Sequence, residues 1–599
     1  MKRLISLLLL LAMAFSLAAC GGQPEAPTTE LAATGEAPTA VAEDLDPVDA
    51  FVEGVRLATT PPEGETYDFQ SHLPLVEPGE DVTLTIGVPV NGNTLDYYDN
   101  DYTHWIEENT GIHLEFVQFA GKSSDVATQL SLMMAAGERL PDILLWFSGI
   151  GRDQSIEYGR DGYFADLSPY FTDPDMNYYR RCGLKRSFDY DPEANLICMR
   201  QGADISTGAM YSYPLLTNEV EDRPRNHIQI NKAWLEKLGM EAPRTIDELY
   251  DLLVAFRDND MNGNGKKDEI PMVGRISSYR DVVQWILNAY IYINDTYYFN
   301  VTDGKVWIPH DTDEYRQGLI FVKKLVDEGL LSNQTWTITT SEYRNLITPA
   351  DNDFYVGILG ANIYSDFPAS SRLMQDYAEV PPLKDYTGKG GYGPMGSYLM
   401  SYNTYVTTDC ERPDVAFRLL DYMSGPENWR HMRWGVEGRD WEWVDPELGL
   451  PGNLGGVARV RALVDSDPQT YPNSITWTGV YAGISCSAAT QGVIDMSDPE
   501  NYRTARSIHD TSIIRYYEEA GQPDELYYYD IFTPEESDWN IEHAPDIKDY
   551  IKTSRAEFCN GIRDPENDAD WEQYVNDLHA LGTEQWIANA QASYDRLNG

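Results

Sequence analysis

Residues 82–147 contain five short segments whose hydrophobic spacing alternates between that of a strand and that of a helix. VTLTIGVPV at 82–90 and IHLEFVQF at 112–119 alternate apolar and polar residues, which predicts two strands. The helical sequence DYTHWIEENTG lies between them and ends at Gly111, a residue type that terminates helices. A second helical sequence, SDVATQLSLMMAAGE, leads to the apolar run PDILLWF. This β-α-β-α-β order predicts an α/β fold in which helices cover a parallel sheet.

The segment TIDELYDLLVAFRD continues the pattern with a helix whose start is marked in the sequence. Thr245 and Glu248 form a T-x-x-E capping box, and an apolar stripe at helical spacing follows. The chain has 599 residues. Such a length exceeds a single ordinary core, so we expect two lobes.

The N-terminus has the layout of an export signal. Lys2 and Arg3 precede an apolar run that is too short for a comfortable membrane span, and small residues end at Cys20. The sequence LAAC at 17–20 resembles a bacterial lipobox, which implies removal of residues 1–19 and lipid modification of Cys20. The alternative is an ordinary cleaved signal followed by a chance cysteine.

Residues 20–79 are predicted to form a linker. The sequence after Cys20 is rich in Gly, Pro, Ala, Thr and Glu and lacks hydrophobic periodicity. A segment of this composition does not bury enough apolar surface to fold, so we expect it to be disordered and order to begin near residue 80.

The formal net charge of −51 restricts the partners of this chain. Such acidity argues against nucleic acid, whose phosphates need basic partners, and disfavours a strongly anionic ligand unless a local basic pocket exists. Apart from Cys20, five cysteines are spread along the sequence, so neither a disulfide scaffold nor a CxxC metal site is expected. A disulfide between Cys182 and Cys198 remains open.

The order of several segments resembles that of extracellular solute-binding proteins of ABC importers. The resemblance rests on TIGVPV, WIEENTGIHLEF, LSLMMAAGERLPDILLW, GYFADLSPYF and INKAWLEKLGMEAPRTIDELYDLLVAFRDND. PDVAFRLLDYMSGPENW and WGVEGRDW resemble the subgroup that binds oligosaccharides in Gram-positive bacteria and the alginate-binding proteins.

This resemblance implies a type II periplasmic-binding-protein-like fold, in which two discontinuous α/β lobes are joined by a hinge. The first lobe is expected from residues 80–215 plus about 355–430, and the second from 216–354 plus about 431–599. It also implies a monomer that is lipid-anchored on the extracellular face of the cell membrane, captures an oligosaccharide between its lobes and delivers it to separate ABC permease subunits. A binding protein for a non-sugar solute is the alternative within this family.

The loop DNDMNGNGKKDE at 258–269 is rich in oxygen ligands for calcium. A register from Asp258 fits D-x-[DN]-x-[DN]-G-x5-E, but it places Lys266 at the ninth position and lacks a following helix. The register from Asp260 avoids the lysine and resembles the D-x-N-x-N-G-x-x-D-E calcium loop of the alginate-binding proteins. It implies a structural Ca²⁺ site, and the alternative is a solvated turn. The implied ligands are Asp260, Asn262, Asn264, the carbonyl of Lys266, Asp268 and Glu269.

Forty tyrosines and fourteen tryptophans offer many rings on which the C–H faces of sugars could stack. Trp146 ends a predicted strand, where ligands of open α/β sheets bind, and Tyr213 lies where the resemblance places the hinge. Ordinary core packing is the alternative for each ring. The expected ligand contacts are Trp146, Tyr213, Trp434, Trp441, Trp477 and Tyr481.

The sequence contains no motif that identifies an enzyme. G-x-S-x-G, HExxH and the Walker loop are absent, and the nine histidines show no metal-ligand spacing. A glycosidase needs only two suitably separated carboxylates, which 96 acidic residues could supply. We therefore expect a binding protein without catalytic residues, with a lipid-anchored carbohydrate-active enzyme as the alternative and a receptor or adhesin as a further one.

Replacing Cys20 by alanine should abolish lipid attachment, because the thiol is the acceptor of the lipid. The Cys20→Ala protein should either remain unprocessed or appear in the medium. Membrane fractionation followed by mass analysis of the N-terminus measures both outcomes. A mature variant that sediments with membranes like the parent protein would contradict the lipobox interpretation.

Overall fold

A computed structural model describes most of the chain from Leu45 onward, and these residues belong to one compact unit. The described ranges are 45–120, 123–187, 192–217, 226–276, 278–349, 354–361, 366, 373–388, 390–394, 399–464, 472–480, 482–485, 494–498, 501–527 and 530–598. The predicted signal segment and Cys20 lie outside them. Within these ranges, no helix combines the length and the apolar character that a membrane crossing requires.

Fifteen strands and nineteen α-helices make up the described part of the chain. The strands are β1 Val82–Pro89, β2 Ile112–Phe119, β3 Ile143–Leu144, β4 Leu215–Thr217, β5 Ile228–Asn231, β6 Ile270–Val273, β7 Asn300–Thr302, β8 Lys305–Trp307, β9 Val356–Gly360, β10 Tyr377–Glu379, β11 Leu399–Ser401, β12 Tyr405–Val406, β13 Trp441–Trp443, β14 Val460–Ala462 and β15 Ile484–Ser485. The helices are Pro47–Thr59, Asp101–Thr110, Ser123–Ala136, Arg152–Arg160, Ser168–Phe171, Tyr178–Ser187, Pro192–Gly202, Lys232–Leu238, Ile246–Asp258, Val282–Leu287, Asp313–Asp327, Thr340–Ile347, Leu373–Asp376, Pro413–Tyr422, Pro426–Trp434, Tyr502–Ala520, Pro534–Cys559, Asp568–Ala580 and Thr583–Asn598.

The first sheet has the strand order β12-β3-β1-β2 and confirms the predicted β-α-β-α-β unit. β1 runs parallel to β2 along its whole length and parallel to β3, whereas β12 returns antiparallel to β3. Helix Asp101–Thr110 joins β1 to β2 and ends at Gly111, whose φ of 75° is the left-handed conformation that glycine adopts without strain.

The second sheet has the strand order β10-β5-β9-β6. β6 is parallel to β9, and β5 is antiparallel to both of its neighbours. Helix Ile246–Asp258 packs beside this sheet, and it begins with the predicted capping box: the side chain of Thr245 accepts from the backbone N–H of Glu248, whose own carboxylate accepts from the N–H of Thr245. The sequence signature of the helix start is therefore confirmed.

The third sheet, β11-β4-β15, lies where the chain passes between two hydrophobic cores. β4 follows Tyr213 of the first core and precedes Ile228 of the second. β11 brings the chain back to the first core, and β15 lies between Ala482 of the first core and the helices that complete the second. The protein is therefore two-lobed, and each lobe is discontinuous in sequence.

The lobe boundaries differ from those expected from the sequence. Residues 355–398 were expected in the first lobe, but β9 and β10 pair with β5 in the second sheet. Residues 431–482 were expected in the second lobe, but Trp441 and Trp477 belong to the first core. A short apolar strand such as VGILG fits either sheet, because its place depends on pairing with strands far away in sequence.

The predicted linker also ends earlier than expected. Helix Pro47–Thr59 starts at Asp46, whose side chain accepts from the N–H of Asp49, and it buries Val48, Phe51, Val52 and Val55 in the first core. Arg181 binds this segment to the first lobe through Glu65, with an Nη2–Oε1 distance of 2.6 Å. The prediction of disorder up to residue 79 is therefore wrong from residue 45 onward, because the apolar stripe meets a partner surface that composition does not reveal.

The cysteines in the described part of the chain are buried and unbonded. Burial raises the pKa of the Cys182 thiol to about 12 and that of Cys198 to about 11. The Cys182–Cys198 disulfide that the sequence left open is not formed.

Trp477 lies at the centre of the first core and has no exposed surface. Its ring contacts those of Tyr102 and Phe116, with centroids 4.8 and 5.4 Å away, and its Nε1–H donates to Oγ1 of Thr103 at 2.8 Å. The indole therefore fills a cavity and satisfies its polar atom at the same time.

Replacing Trp477 by alanine should destabilise the protein by about 3–5 kcal/mol, because it leaves a large cavity and an unpaired hydroxyl. Chemical denaturation followed by circular dichroism measures this loss. Trp443→Ala is the matched control, since the ring of Trp443 is 48% exposed and should change stability by no more than about 0.5 kcal/mol. Equal stability of the two variants would contradict the core position of Trp477.

Candidate functional site

A cavity lies between the two lobes, and each lobe supplies one of its walls. Helix Arg152–Arg160 and the turn that contains Asp204 form the wall from the first lobe. Residues 532–541, at the start of helix Pro534–Cys559, form the wall from the second lobe. The lining residues are Arg152, Asp153, Ile156, Glu157, Arg160, Asp161, Asp204, Ile205, Phe532, Pro534, Ser537, Asp538 and Ile541.

The wall of the first lobe is held by its two arginines. Arg152 follows the loop at the carboxyl end of β3 and donates from Nε and Nη2 to the carbonyls of Gln201 and Ala203, at 2.5 and 3.0 Å. Its Nη1 is also paired with Asp153 at 2.5 Å. The helix is thereby tied to the end of helix Pro192–Gly202, so this wall is preorganised.

Arg160 forms a two-bond fork with Asp204, with distances of 2.8 and 2.7 Å. Burial by itself would raise the pKa of Asp204, but hydrogen bonds from Arg160 and Ser206 outweigh it and lower this pKa to about 2. Asp204 is therefore a permanently charged anchor for Arg160 at physiological pH.

The wall of the second lobe begins with a capped helix. Thr533 and Glu536 form a capping box, and Arg596 pairs with Glu536 through Nη2 and Oε1 at 2.5 Å. Burial raises the pKa of nearby Asp530, while Tyr527 donates to Asp530 Oδ1 at 2.7 Å. Charges of the first lobe, on Arg152 and Asp153, act on Asp530, which indicates that the two walls lie close together.

Ser537 contributes a polar atom that the protein leaves unsatisfied. Ser537 is 9% exposed and is one of the lining residues, and its Oγ is buried without a hydrogen-bond partner among the described residues. A buried hydroxyl without a partner costs stability, so such atoms mark places where a ligand or water binds.

Sequence reasoning missed these residues. Arg160 and Asp204 are 44 positions apart, and Ser537 is more than 300 residues further along. A usable signal existed for Arg152 alone, because it comes directly after the third strand of a predicted parallel sheet, at the edge where ligands bind.

Of the predicted ligand contacts, Trp146 alone combines partial exposure with a place at the carboxyl edge of the first sheet. It is half-buried and has a φ of 66°, a backbone conformation that is strained for a tryptophan. Strain of this kind concentrates at functional sites, so a ligand role for Trp146 stays a prediction. Tyr481 lies outside the described residues.

The other predicted contacts lie in the core. Tyr213 and Trp477 have no exposed surface, and the Tyr213 hydroxyl is 3.0 Å from Oγ of Ser424. Trp434 and Trp441 pack against each other with ring centroids 5.4 Å apart, and Trp441 donates to the carbonyl of Gly435. The structure therefore places these four rings inside the first lobe instead of on the cavity wall.

The loop after helix Ile246–Asp258 is organised around Asp260. Its two carboxylate oxygens accept from the N–H groups of Gly263 and Gly265, at 2.8 and 2.9 Å. Both glycines have φ near +79°, which explains their presence. The side-chain oxygen of Asn264 accepts from the N–H of Lys266 at 2.8 Å. The side-chain oxygens of Asp260 and Asn264 therefore both bind backbone N–H groups of the same loop.

The same geometry favours the register from Asp260 over that from Asp258. Asp258 is turned toward Arg257, with an Nε–Oδ1 distance of 2.9 Å. Glu269 instead closes the loop: its Oε1 accepts from the N–H of Met261 at 2.6 Å, and its Oε2 is buried without a partner.

Within the described ranges, no three His, Cys, Asp or Glu side chains are gathered as a metal cluster. The loop offers Asp260, Asp268 and Glu269 together with amide and carbonyl oxygens. This set of hard oxygen donors, with the orphaned Oε2 of Glu269, suits calcium better than zinc or copper.

Residues 90–428, more than half of the chain, match the family model of the bacterial extracellular solute-binding proteins. A relative from Streptococcus pneumoniae, the fructooligosaccharide ABC transporter substrate-binding protein FusA, is 24% identical over 500 residues, which cover 82% of this chain and 86% of FusA.

Two solved structures share the fold. The FusA EF-hand mutant in complex with fructo-nystose has a TM-score of 0.67 and 21% identity, and the match covers 86% of this chain and 99% of that one. The alginate-binding protein AlgQ2 without calcium ion has a TM-score of 0.60 and 19% identity, with 86% and 98% covered. These similarities agree with the two-lobed α/β architecture.

Proposed function

Because this chain belongs to the bacterial extracellular solute-binding proteins, we propose that it captures an oligosaccharide between its lobes and delivers it to the permease of an ABC importer. The observation that carries the proposal is the cavity with one wall from each lobe. FusA, which matches over most of both chains, is named for the same transport role toward fructooligosaccharides.

The chemistry of the cavity suits a sugar. Hydroxyl groups of a sugar can donate to carboxylates such as Glu157 and Asp538 and can bind the hydroxyl of Ser537. Its C–H faces can pack on Ile156, Ile205 and Phe532. A cleft that alternates charged acceptors with apolar side chains matches the two faces of a pyranose or furanose ring.

Binding between the lobes would couple capture to a change of shape. A ligand that touches both walls binds the closed arrangement more tightly, so it shifts the population toward closure. In this proposal the hinge is the three-stranded sheet β11-β4-β15, where the chain passes between the lobes. A permease on separate chains can then distinguish loaded from empty protein, and we infer that the chain binds its ligand without turnover, as a monomer.

We infer that the mature protein is lipid-anchored through Cys20 on the extracellular face of the cell membrane. The family is described as extracellular, and the lipobox-like sequence precedes the folded unit. Helix Pro47–Thr59 fastens the N-terminal end of this unit to the first lobe, so an anchor would hold that lobe and leave the second free to close.

The loop at 260–269 is proposed to hold a structural Ca²⁺. The solved FusA structure is described as an EF-hand mutant and AlgQ2 as lacking calcium, which is why a calcium loop is plausible chemistry in proteins of this fold. The residues that would hold the ion are Asp260, Asn262, Asn264, the Lys266 carbonyl, Asp268 and Glu269. A bound Ca²⁺ would offset two of the three negative charges of the loop carboxylates and fix the connection from helix Ile246–Asp258 to β6.

An oligosaccharide that fits the cleft should raise the melting temperature and reduce the radius of gyration, because it stabilises the closed form. Trp146→Ala should weaken its affinity by about 1–3 kcal/mol, by analogy with bases stacked on aromatic side chains. Calorimetry, thermal shift and solution scattering measure these effects.

Trp443→Ala serves as the matched control, since Trp443 lies in the separate two-stranded sheet β13-β14, where its ring packs against Arg430 and Trp441. A tight ligand that leaves the scattering profile open would contradict the transport mechanism. Shorter products after incubation would show that the chain is an enzyme.

Chelation of calcium should lower the melting temperature, and added calcium should restore it better than magnesium, which demands tighter octahedral geometry. Asp268→Ala should abolish most of this response. Asp258→Ala, the matched control, should retain it, because Asp258 faces Arg257. The opposite order would reinstate the register from Asp258, and the absence of any calcium response in the parent protein would leave a solvated turn.

A further inference from the structure

The cavity between the lobes carries an excess of negative charge. Five of its lining residues are acidic, namely Asp153, Glu157, Asp161, Asp204 and Asp538, and two are basic. Both basic groups are already committed inside the first lobe, where Arg152 is paired with Asp153 and Arg160 with Asp204. Neither guanidinium is therefore free to form a two-bond fork with a carboxylate of a ligand.

Three acidic side chains of the cavity wall are exposed to solvent. Glu157, Asp161 and Asp538 form no ion pair with any residue in the described ranges, although Asp538 lies near enough to raise the pKa of Arg160. The formal charge of −51 on the whole chain adds a field of the same sign. An approaching anion would therefore meet repulsion both at a distance and at the wall.

Ser537 shows that the same cavity is built to receive a hydrogen-bonding group. Ser537 is one of the lining residues, and its hydroxyl is buried without a hydrogen-bond partner in the part of the chain that the structure describes. A hydroxyl both donates and accepts, so it suits the hydroxyl of a sugar. Unpaired carboxylates accept from sugar hydroxyls in hydrogen bonds that charge strengthens.

We propose that this cavity selects neutral oligosaccharides and rejects oligosaccharides that contain uronic acids. The inference rests on the proposed function, and it specifies the chemical class of ligand within it. The names of similar proteins do not decide this point, since FusA is named for fructooligosaccharides and AlgQ2 for alginate, a polymer of uronic acids. The charge of this chain's own cavity decides it.

An opposing feature lies at the carboxyl end of β6 in the second lobe. Arg280 forms a fork with the buried Asp366, at 2.5 and 2.8 Å, and Arg344 binds the same carboxylate at 3.1 Å. Burial, and after it the charges of Arg280 and Arg344, lower the pKa of nearby Arg275. Arg275 is therefore the arginine to test if uronic acids do bind this protein.

A matched pair of ligands tests the proposal. The tightest neutral oligosaccharide from a thermal-shift panel is compared with the same molecule after its primary alcohols are oxidised to carboxylates. Calorimetry at low salt should show at least tenfold weaker binding of the oxidised form. The ratio of the dissociation constant of the oxidised ligand to that of the neutral ligand should fall as salt is added, because salt screens exposed charges.

The double variant Glu157→Gln, Asp538→Asn should reduce the difference in affinity between the neutral and the oxidised ligand, since it removes two charges while keeping oxygen acceptors. Glu108→Gln is the matched control, because Glu108 is exposed on helix Asp101–Thr110 and does not line the cavity. It should leave the ratio unchanged.

Equal or tighter binding of the oxidised ligand would overturn the inference. So would a double variant in which the ratio of the two dissociation constants is the same as in the parent protein. Loss of that tighter binding in Arg275→Gln would locate the true anion site. Failure of every neutral and oxidised oligosaccharide to bind would instead overturn the proposed function, so the two failures are distinguishable.

Discussion

The backbone hydrogen bonds of the third sheet, β11-β4-β15, determine how the rest of this structure is arranged. β4 pairs antiparallel with β11, with Leu216 opposite Met400, and parallel with β15, with Leu216 opposite Ile484. Each strand carries the chain between the two cores, so these pairings decide which segments belong to which lobe. The sheet packs on the first lobe, where Leu216 and Ile484 are buried with Leu184 and Cys198.

The closeness of this packing is visible at Gly483, next to β15. Its φ is 85°, and a Cβ atom at this position would lie 2.2 Å from Oγ of Ser424. Glycine is required here for both its conformation and its size. The N–H of Leu216 donates to the carbonyl of Gly483 at 2.9 Å, so the close approach lies within the crossing itself.

The two arginines that line the cavity form their ion pairs within the first lobe, and this pairing determines the charge that the cavity presents. Arg152 and Arg160 position their wall through bonds to Gln201, Ala203 and Asp204, all in the first lobe. The same bonds withdraw the two guanidiniums from any ligand and leave unpaired carboxylates facing the gap. Rigidity of the wall and its preference for neutral, hydroxyl-rich ligands therefore have one physical origin.

The sequence by itself determined the features that local interactions control. Strand and helix periodicities between 82 and 147, the capping box at Thr245 and the Asp260-centred loop each depend on residues within a few positions of one another. Such contacts form with nearly the same geometry in any surroundings. For this reason the α/β class, the first βαβ unit and the start of helix Ile246–Asp258 could be predicted.

Tertiary structure alone decided what depends on distant partners. Composition cannot show that helix Pro47–Thr59 has a surface to bury against, or that Trp477 is enclosed by Tyr102 and Phe116 instead of facing the cleft. The lobe boundaries depend on pairings such as that of Leu216 with Met400, and the cavity on Arg160 meeting Asp204. Burial and pairing are properties of two surfaces together, and a single segment of sequence contains only one of them.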